Sequence, residues 1–228
     1  MIRILFQGDS ITDGNRYRDP ASRWDLNHQI GHSYVHTVAG YLGKKCPGRY
    51  CFINRGVACD TLQTIALRWD QDTLDEKPDI LSILIGINGN GNFDGTYPEG
   101  TQAHLHDFEC RYRQLLERAV KANPKLKLIL MEPFALPVGN VKPHYDAFMA
   151  VFNRKQQIIR DIARDFGAVF VPVQKELEKL VEESAPVLRA EGWTKEPWDY
   201  WLWDGVHPTE PTHSFLADLW LKAAADIL

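Results

Sequence analysis

Ile2-Arg3-Ile4-Leu5-Phe6-Gln7-Gly8-Asp9-Ser10-Ile11-Thr12 is an apolar run that breaks at a glycine and delivers a serine. Its Ile, Leu and Phe content suits a strand buried on both faces of a parallel sheet. Gly8 stops the strand. In open parallel sheets ligands bind in the crevice beyond the carboxyl ends of the strands, so Ser10 is expected at the mouth of that crevice. Taken alone, the stretch serves equally well as a cap, with Asp9 or Ser10 starting the next helix.

The far end of the chain breaks this tie. Trp203-Asp204-Gly205-Val206-His207-Pro208 sets a carboxylate three residues before an imidazole, in a segment punctuated by Gly and Pro. One tight turn can hold both groups on one side. An aspartate so placed accepts the Nδ1 proton of His207, fixes the tautomer and leaves Nε2 to face a serine hydroxyl. Without a partner serine, D-x-x-H is usually a solvated loop pair.

Two further pieces follow apolar runs: Phe52-Ile53-Asn54-Arg55-Gly56-Val57-Ala58 and Ile83-Leu84-Ile85-Gly86-Ile87-Asn88-Gly89-Asn90. Gly8-Asp9-Ser10, Gly56, Asn88 and Asp204-x-x-His207 thus fall in the order of the four blocks of the SGNH (GDSL) hydrolases, which the chain resembles over nearly its whole length. Within that family it looks most like the acetylxylan esterase-like carbohydrate esterases. Leu5 to Asp13, Arg68-Trp69, Leu130-Met131-Glu132-Pro133-Phe134 and Asp204 to Thr209 carry the closer similarity.

A length of 228 residues suits one domain with a full core, spanning 1–228. Hydrophobic content of 44% against 25% charged residues excludes a disordered chain and gives no sign of a membrane protein. The net charge of −4, with no basic run, disfavours nucleic acid as a partner. Cys46, Cys51, Cys59 and Cys110 form no CxxC pair and are too sparse for a disulfide framework, so reduced thiols are expected. The first strand starts at once, with no secretory signal before it, and a cytoplasmic location is the expectation.

Along the chain, Thr12 to Gly31 reads as a long loop walling the site. Helices are predicted over Ser33–Leu42, Thr61–Leu74 with Asp60 as its cap, Ala103–Ala122, Ala147–Phe166, Lys175–Leu188 and Pro211–Ile227. Strands are predicted at Cys51–Ile53, Asp79–Ile85, Leu126–Met131 and Ala168–Val171, with Asp79–Ile85 central. Such alternation makes right-handed βαβ units. The fold class is therefore α/β: a three-layer α/β/α sandwich on a five-stranded parallel sheet. The resemblance implies the same flavodoxin-like architecture.

Ester hydrolysis needs an activated oxygen nucleophile, a base that can later act as acid, and donors for the oxyanion. The resemblance implies Ser10, His207 and Asp204 as catalytic residues. It implies the Ser10 N–H, the Gly56 N–H and the Asn88 carboxamide as the oxyanion hole, no metal or cofactor, and a homo-oligomer. One departure stands out. The family block usually reads Gly-x-Asn-Asp, and here Gly89 occupies the Asp position. Other patterns are weaker: Gly86-x-x-Gly89-x-Gly91 has the wrong spacing for a nucleotide-binding turn, His104-x-His106-Asp107 has no third metal-ligand cluster, and no G-x-S-x-G occurs.

Four of the seven tryptophans, Trp193, Trp198, Trp201 and Trp203, crowd before Asp204, where indoles can stack on a sugar or fill a core or interface. The resulting expectation is an esterase removing O-acetyl groups from a carbohydrate such as acetylated xylo-oligosaccharide. Its rivals are an SGNH lipase or thioesterase acting on non-sugar esters, and a non-catalytic sugar-binding protein of the same fold.

Overall fold

Alternation inside the first strand fixes which layer each side chain enters. A computed structural model describes residues 1–18, 28–89 and 100–228; part of the loop expected from Thr12 to Gly31 and the Asn90-Gly91-Asn92 stretch lie outside them. In β1 (Ile2–Gly8), Ile4 and Phe6 point to one face of the sheet and Leu5 to the other, and all three are fully buried. A parallel strand in the middle of a sheet must be apolar on both sides, which explains the near-continuous run.

The other strands are β2 (Tyr50–Asn54), β3 (Ile80–Leu84), β4 (Lys127–Met131) and β5 (Val169–Val171). All neighbours pair in parallel, in the order β2-β1-β3-β4-β5. Leu5 stands opposite Leu81, and Leu81 opposite Leu128, so each row across the sheet feeds one face. β3 is central, with β1 on one side and β4 on the other, and all five of its residues are buried.

The α-helices among the described residues are α1 (Ser10–Asp13), α2 (Tyr34–Lys45), α3 (Leu62–Trp69), α4 (Thr101–Ala122), α5 (Tyr145–Asp165), α6 (Gln174–Ala190), α7 (Trp198–Trp201) and α8 (Glu210–Ala223). One core joins Ile4, Phe6 and Ile129 to Val35 and Val38 of α2 and Leu216 and Trp220 of α8. The opposite core joins Leu5, Leu81 and Leu130 to Ile65 of α3, Tyr112 of α4 and Ile159 of α5. This is the three-layer α/β sandwich. Among the described residues no helix is long and apolar enough to cross a membrane, and all four cysteines are free.

Three local readings need correction. The helix expected over Thr61–Leu74 ends at Trp69, and Asp70–Leu74 is a wider π turn closed by Asp75 N–H on the Asp70 carbonyl at 2.8 Å. That turn carries the Thr73 hydroxyl to the buried Gln7 Nε2 at 2.9 Å, a contact that apolar periodicity does not register. The cap of α3 is Thr61 rather than Asp60: Thr61 and Thr64 form a reciprocal capping box. The short helix α7 lies in a stretch where no helix was expected.

Candidate active site

Three strand ends and one distant turn meet at the carboxyl edge of the sheet. Chain order reverses about β1, which has β2 on one side and β3 on the other, so a crevice opens where β1 releases Ser10. Asp9 caps α1 by accepting the Ile11 N–H at 3.0 Å. Both readings of the opening stretch therefore hold together: Asp9 caps, and Ser10 is left to face the crevice.

The distant turn is built by its own backbone. Trp203 N–H donates to the His207 carbonyl at 3.2 Å and Leu202 bridges Pro208, making a tight antiparallel return. Gly205 lies at φ +101, and a Cβ there would sit 2.5 Å from the Val138 carbonyl, so only glycine fits. One Asp204 oxygen accepts the Val206 and His207 amides at 3.0 and 2.8 Å. Its other oxygen lies 2.6 Å from His207 Nδ1, and His207 Nε2 lies 2.7 Å from Ser10 Oγ.

Half-burial pushes the Asp204 carboxyl upward, but the imidazole and amide donors outweigh it and hold the group below the usual carboxylate range. The Asp204 hydrogen bond raises the His207 imidazole above its ordinary value, against the opposing pull of burial. Burial also pushes the fully enclosed Asp9 carboxyl up to about 7. Trp203, 63% exposed, stacks on the His207 ring with centroids 5.1 Å apart and planes 18° from parallel.

The remaining expected residues stand apart from this relay. Gly56 is buried beneath Thr12 and Asp13, where a Cβ would meet the Asp13 nitrogen at 2.4 Å. Its N–H donates to Asn54 Oδ1 at 2.9 Å, so the donor expected for an oxyanion is already committed. Asn54 in turn donates to the Thr12 and Ile30 carbonyls at 2.7 and 2.8 Å, tying β2 to the loop after Ser10. The Val57 and Ala58 amides are held by the Gly8 carbonyl and by Asp13, at 3.0 Å each.

Cys59 differs. It is exposed, sits at φ +67, and its N–H makes no hydrogen bond to the described residues; the same holds for the Ser10 N–H. A left-handed cysteine is an unusual conformation for a non-glycine residue, and apolar patterning gives no hint of it. Asn88 donates from Nδ2 to the Asp60 carbonyl at 3.0 Å, which leaves its second amide proton.

A cleft of about 620 Å³ opens beside the serine, walled by Asn15, His32, Trp203, Thr209 and Glu210. His213, also on its wall, accepts the Tyr34 N–H at 3.2 Å, and burial pushes its pKa down to about 4. Of the four clustered tryptophans, Trp201 is buried, with its indole N–H on Ser184 at 3.0 Å, and Trp203 is the one beside the imidazole. Asp107 pairs with Arg111 at 2.7 Å one turn along α4.

The profile of the GDSL-like Lipase/Acylhydrolase family matches residues 6–214. The chain belongs to this family. Family membership accounts for both the sheet order and the Ser, Asn and Asp-x-x-His blocks. An acetylxylan esterase of Geobacillus stearothermophilus is 29% identical over 223 residues, covering 96% of this chain and 92% of the relative. A solved structure from Parabacteroides merdae, described as a GDSL-like lipase, superposes with a TM-score of 0.81 at 30% identity, covering 98% of this chain and 95% of that one. Axe2, an acetylxylan esterase of G. stearothermophilus, superposes with a TM-score of 0.72 at 27% identity, covering 97% and 93%. Catalytic mutants of Axe2 with a serine, an aspartate or a histidine changed to alanine are also structural neighbours.

Proposed function

We propose that this GDSL-family acylhydrolase is a serine esterase that removes acetyl or other short acyl groups from a carbohydrate such as acetylated xylo-oligosaccharide. The observation that carries the chemistry is the unbroken line Ser10 Oγ, His207 Nε2, His207 Nδ1, Asp204 Oδ2, at 2.7 and 2.6 Å. Ser10 attacks the ester carbonyl while His207 takes its proton, and Asp204 orients and supports the imidazolium. His207 returns the proton to the leaving sugar alkoxide. Water, deprotonated by the same imidazole, then cleaves the acyl-serine and regenerates Ser10.

Three donors serve the oxyanion in this reading: the Ser10 N–H, the second amide proton of Asn88, and the Cys59 N–H in the role expected of Gly56. The two backbone amides are uncommitted, as an oxyanion hole requires before substrate arrives. The carbohydrate half of the reading rests on the acetylxylan esterase relative and on the cleft wall. Asn15, His32, Thr209 and Glu210 offer hydrogen bonds to sugar hydroxyls, and Trp203 offers an exposed ring face.

Acetate release from acetylated xylo-oligosaccharides by wild type and Ser10→Ala, with 4-nitrophenyl acetate and octanoate alongside, tests it. The expected result is release that disappears in Ser10→Ala, with acetate strongly preferred to octanoate. Turnover of the nitrophenyl esters alone refutes the sugar substrate and keeps the serine mechanism. No Ser10-dependent turnover on any ester refutes both.

A further inference from the structure

Position 89 poses a structural question that the fold answers elsewhere. Gly89, at φ +70, has no side chain with which to steady its neighbour, and Asn88 is instead moored to the Asp60 carbonyl. Asp60 is itself fixed at three points. One carboxylate oxygen accepts the Thr64 hydroxyl at 2.8 Å; the other accepts Arg68 Nε at 2.9 Å and also Arg68 Nη2. The Arg68 fork continues to Gln7 Oε1 and Asp72 Oδ2, both at 2.9 Å. Gln7 is fully buried, three residues before the nucleophile, and its Oε1 also accepts the Gly8 N–H at 3.3 Å.

We infer that Arg68 is a positioning residue for the oxyanion side of the active site: its guanidinium locks Asp60 to the end of β1, and the Asp60 carbonyl thereby aims the Asn88 carboxamide. The inference rests on the esterase reading above. One side chain thus links the strand that carries Ser10, the turn that carries Cys59 and the amide of Asn88. The charge matters as well. Asp60 is buried one residue after Cys59, and without a cation its carboxylate would oppose negative charge growing on the ester oxygen. Lysine cannot do the same work, because a single ammonium does not reproduce a planar fork that reaches Asp60, Gln7 and Asp72 together.

The test is 4-nitrophenyl acetate hydrolysis by the full chain, in a double-mutant cycle between Arg68 and Asn88. In the wild-type background Arg68→Gln is expected to lower kcat about 30-fold with KM within about twofold, short of the roughly 100-fold that outright loss of a donor costs. In the Asn88→Ala background the same substitution is expected to cost less than about threefold, since the group it aims is already gone. Arg68→Lys should lose about tenfold in the first background and little in the second. It decides the same comparison if the Gln variant fails to fold. Equal losses in both backgrounds, or a change confined to KM, overturn the proposal and leave the esterase reading standing. Loss of Ser10-dependent turnover in the otherwise unmodified chain removes both.

Discussion

At the scale of single residues, the site turns on the charge state of one imidazole. In the proposed mechanism His207 must be neutral to accept the serine proton, and its pKa is raised by Asp204, so kcat/KM is expected to fall as pH drops through a value above about 6.5, the ordinary figure for histidine. Asp204→Asn should move that acid limb to lower pH and cut kcat by about 10⁴, as a misheld tautomer does; a limb that stays put would detach Asp204 from the titration. Trp203 is the neighbouring aromatic with a free face. Trp203→Ala should raise KM on acetylated xylo-oligosaccharide about fivefold, with Trp203→Tyr recovering most of it, because ring stacking contributes about 1 kcal/mol. Equal KM in all three proteins would show that no sugar rests there. That Asp204 and His207 meet was legible from their residue types and three-residue spacing, and Ser10, 197 positions from His207, was reached only through the order of the motif blocks. The proposed role of Cys59 was not legible, since what singles it out is a backbone angle and an uncommitted amide, and its side chain signals neither.

At the scale of elements, sequence patterning located each of the five strands among the described residues and missed how α3 starts. Asp60 looks like a cap by residue type, but an arginine eight positions on claims its carboxylate, and Thr61 takes over the end of the helix. Thr61→Ala is expected to cost about 1 kcal/mol in denaturant unfolding, whereas a loss near zero would mean that Asp60 substitutes as cap. The π turn Asp70–Leu74 escaped for a related reason. A five-residue widening is specified by the Thr73 hydroxyl meeting Gln7, a pairing 66 residues apart in sequence. Periodicity sees neighbours on one helix face, so contacts between elements stay invisible to it.

At the scale of the whole molecule, buried polar ties do what hydrophobic layering cannot, namely fix one element's end against another. Glu132, quoted in the sequence only as part of a similar stretch, is almost fully buried just beyond β4. It accepts the Val173 and Gln174 amides at 2.9 and 3.0 Å at the start of α6, and Arg160 of α5 at 3.0 Å. α6 has no side-chain cap of its own, so Glu132 satisfies it from outside. Glu132→Ala leaves two buried amides without an acceptor and is expected to destabilise the fold by about 3 kcal/mol; Glu132→Gln should cost less. Chemical denaturation of the pair checks this, and equal losses would show that the negative charge facing Arg160 carries the tie, rather than an acceptor for the amides. Composition and alternation predicted the layered sheet well because burial depends on apolar pattern, while ties of this kind depend on geometry that exists only after the layers have assembled.

Ser10 and His207 stand 197 positions apart in the chain yet share a hydrogen bond. In the proposed mechanism, a polypeptide emerging from the ribosome therefore carries a serine without its base until the segment carrying residue 207 has been made and docked. The same separation makes hydrolytic turnover a stringent readout of completed folding. In a refolding experiment it should return with the last structural phase, later than helix content measured by circular dichroism.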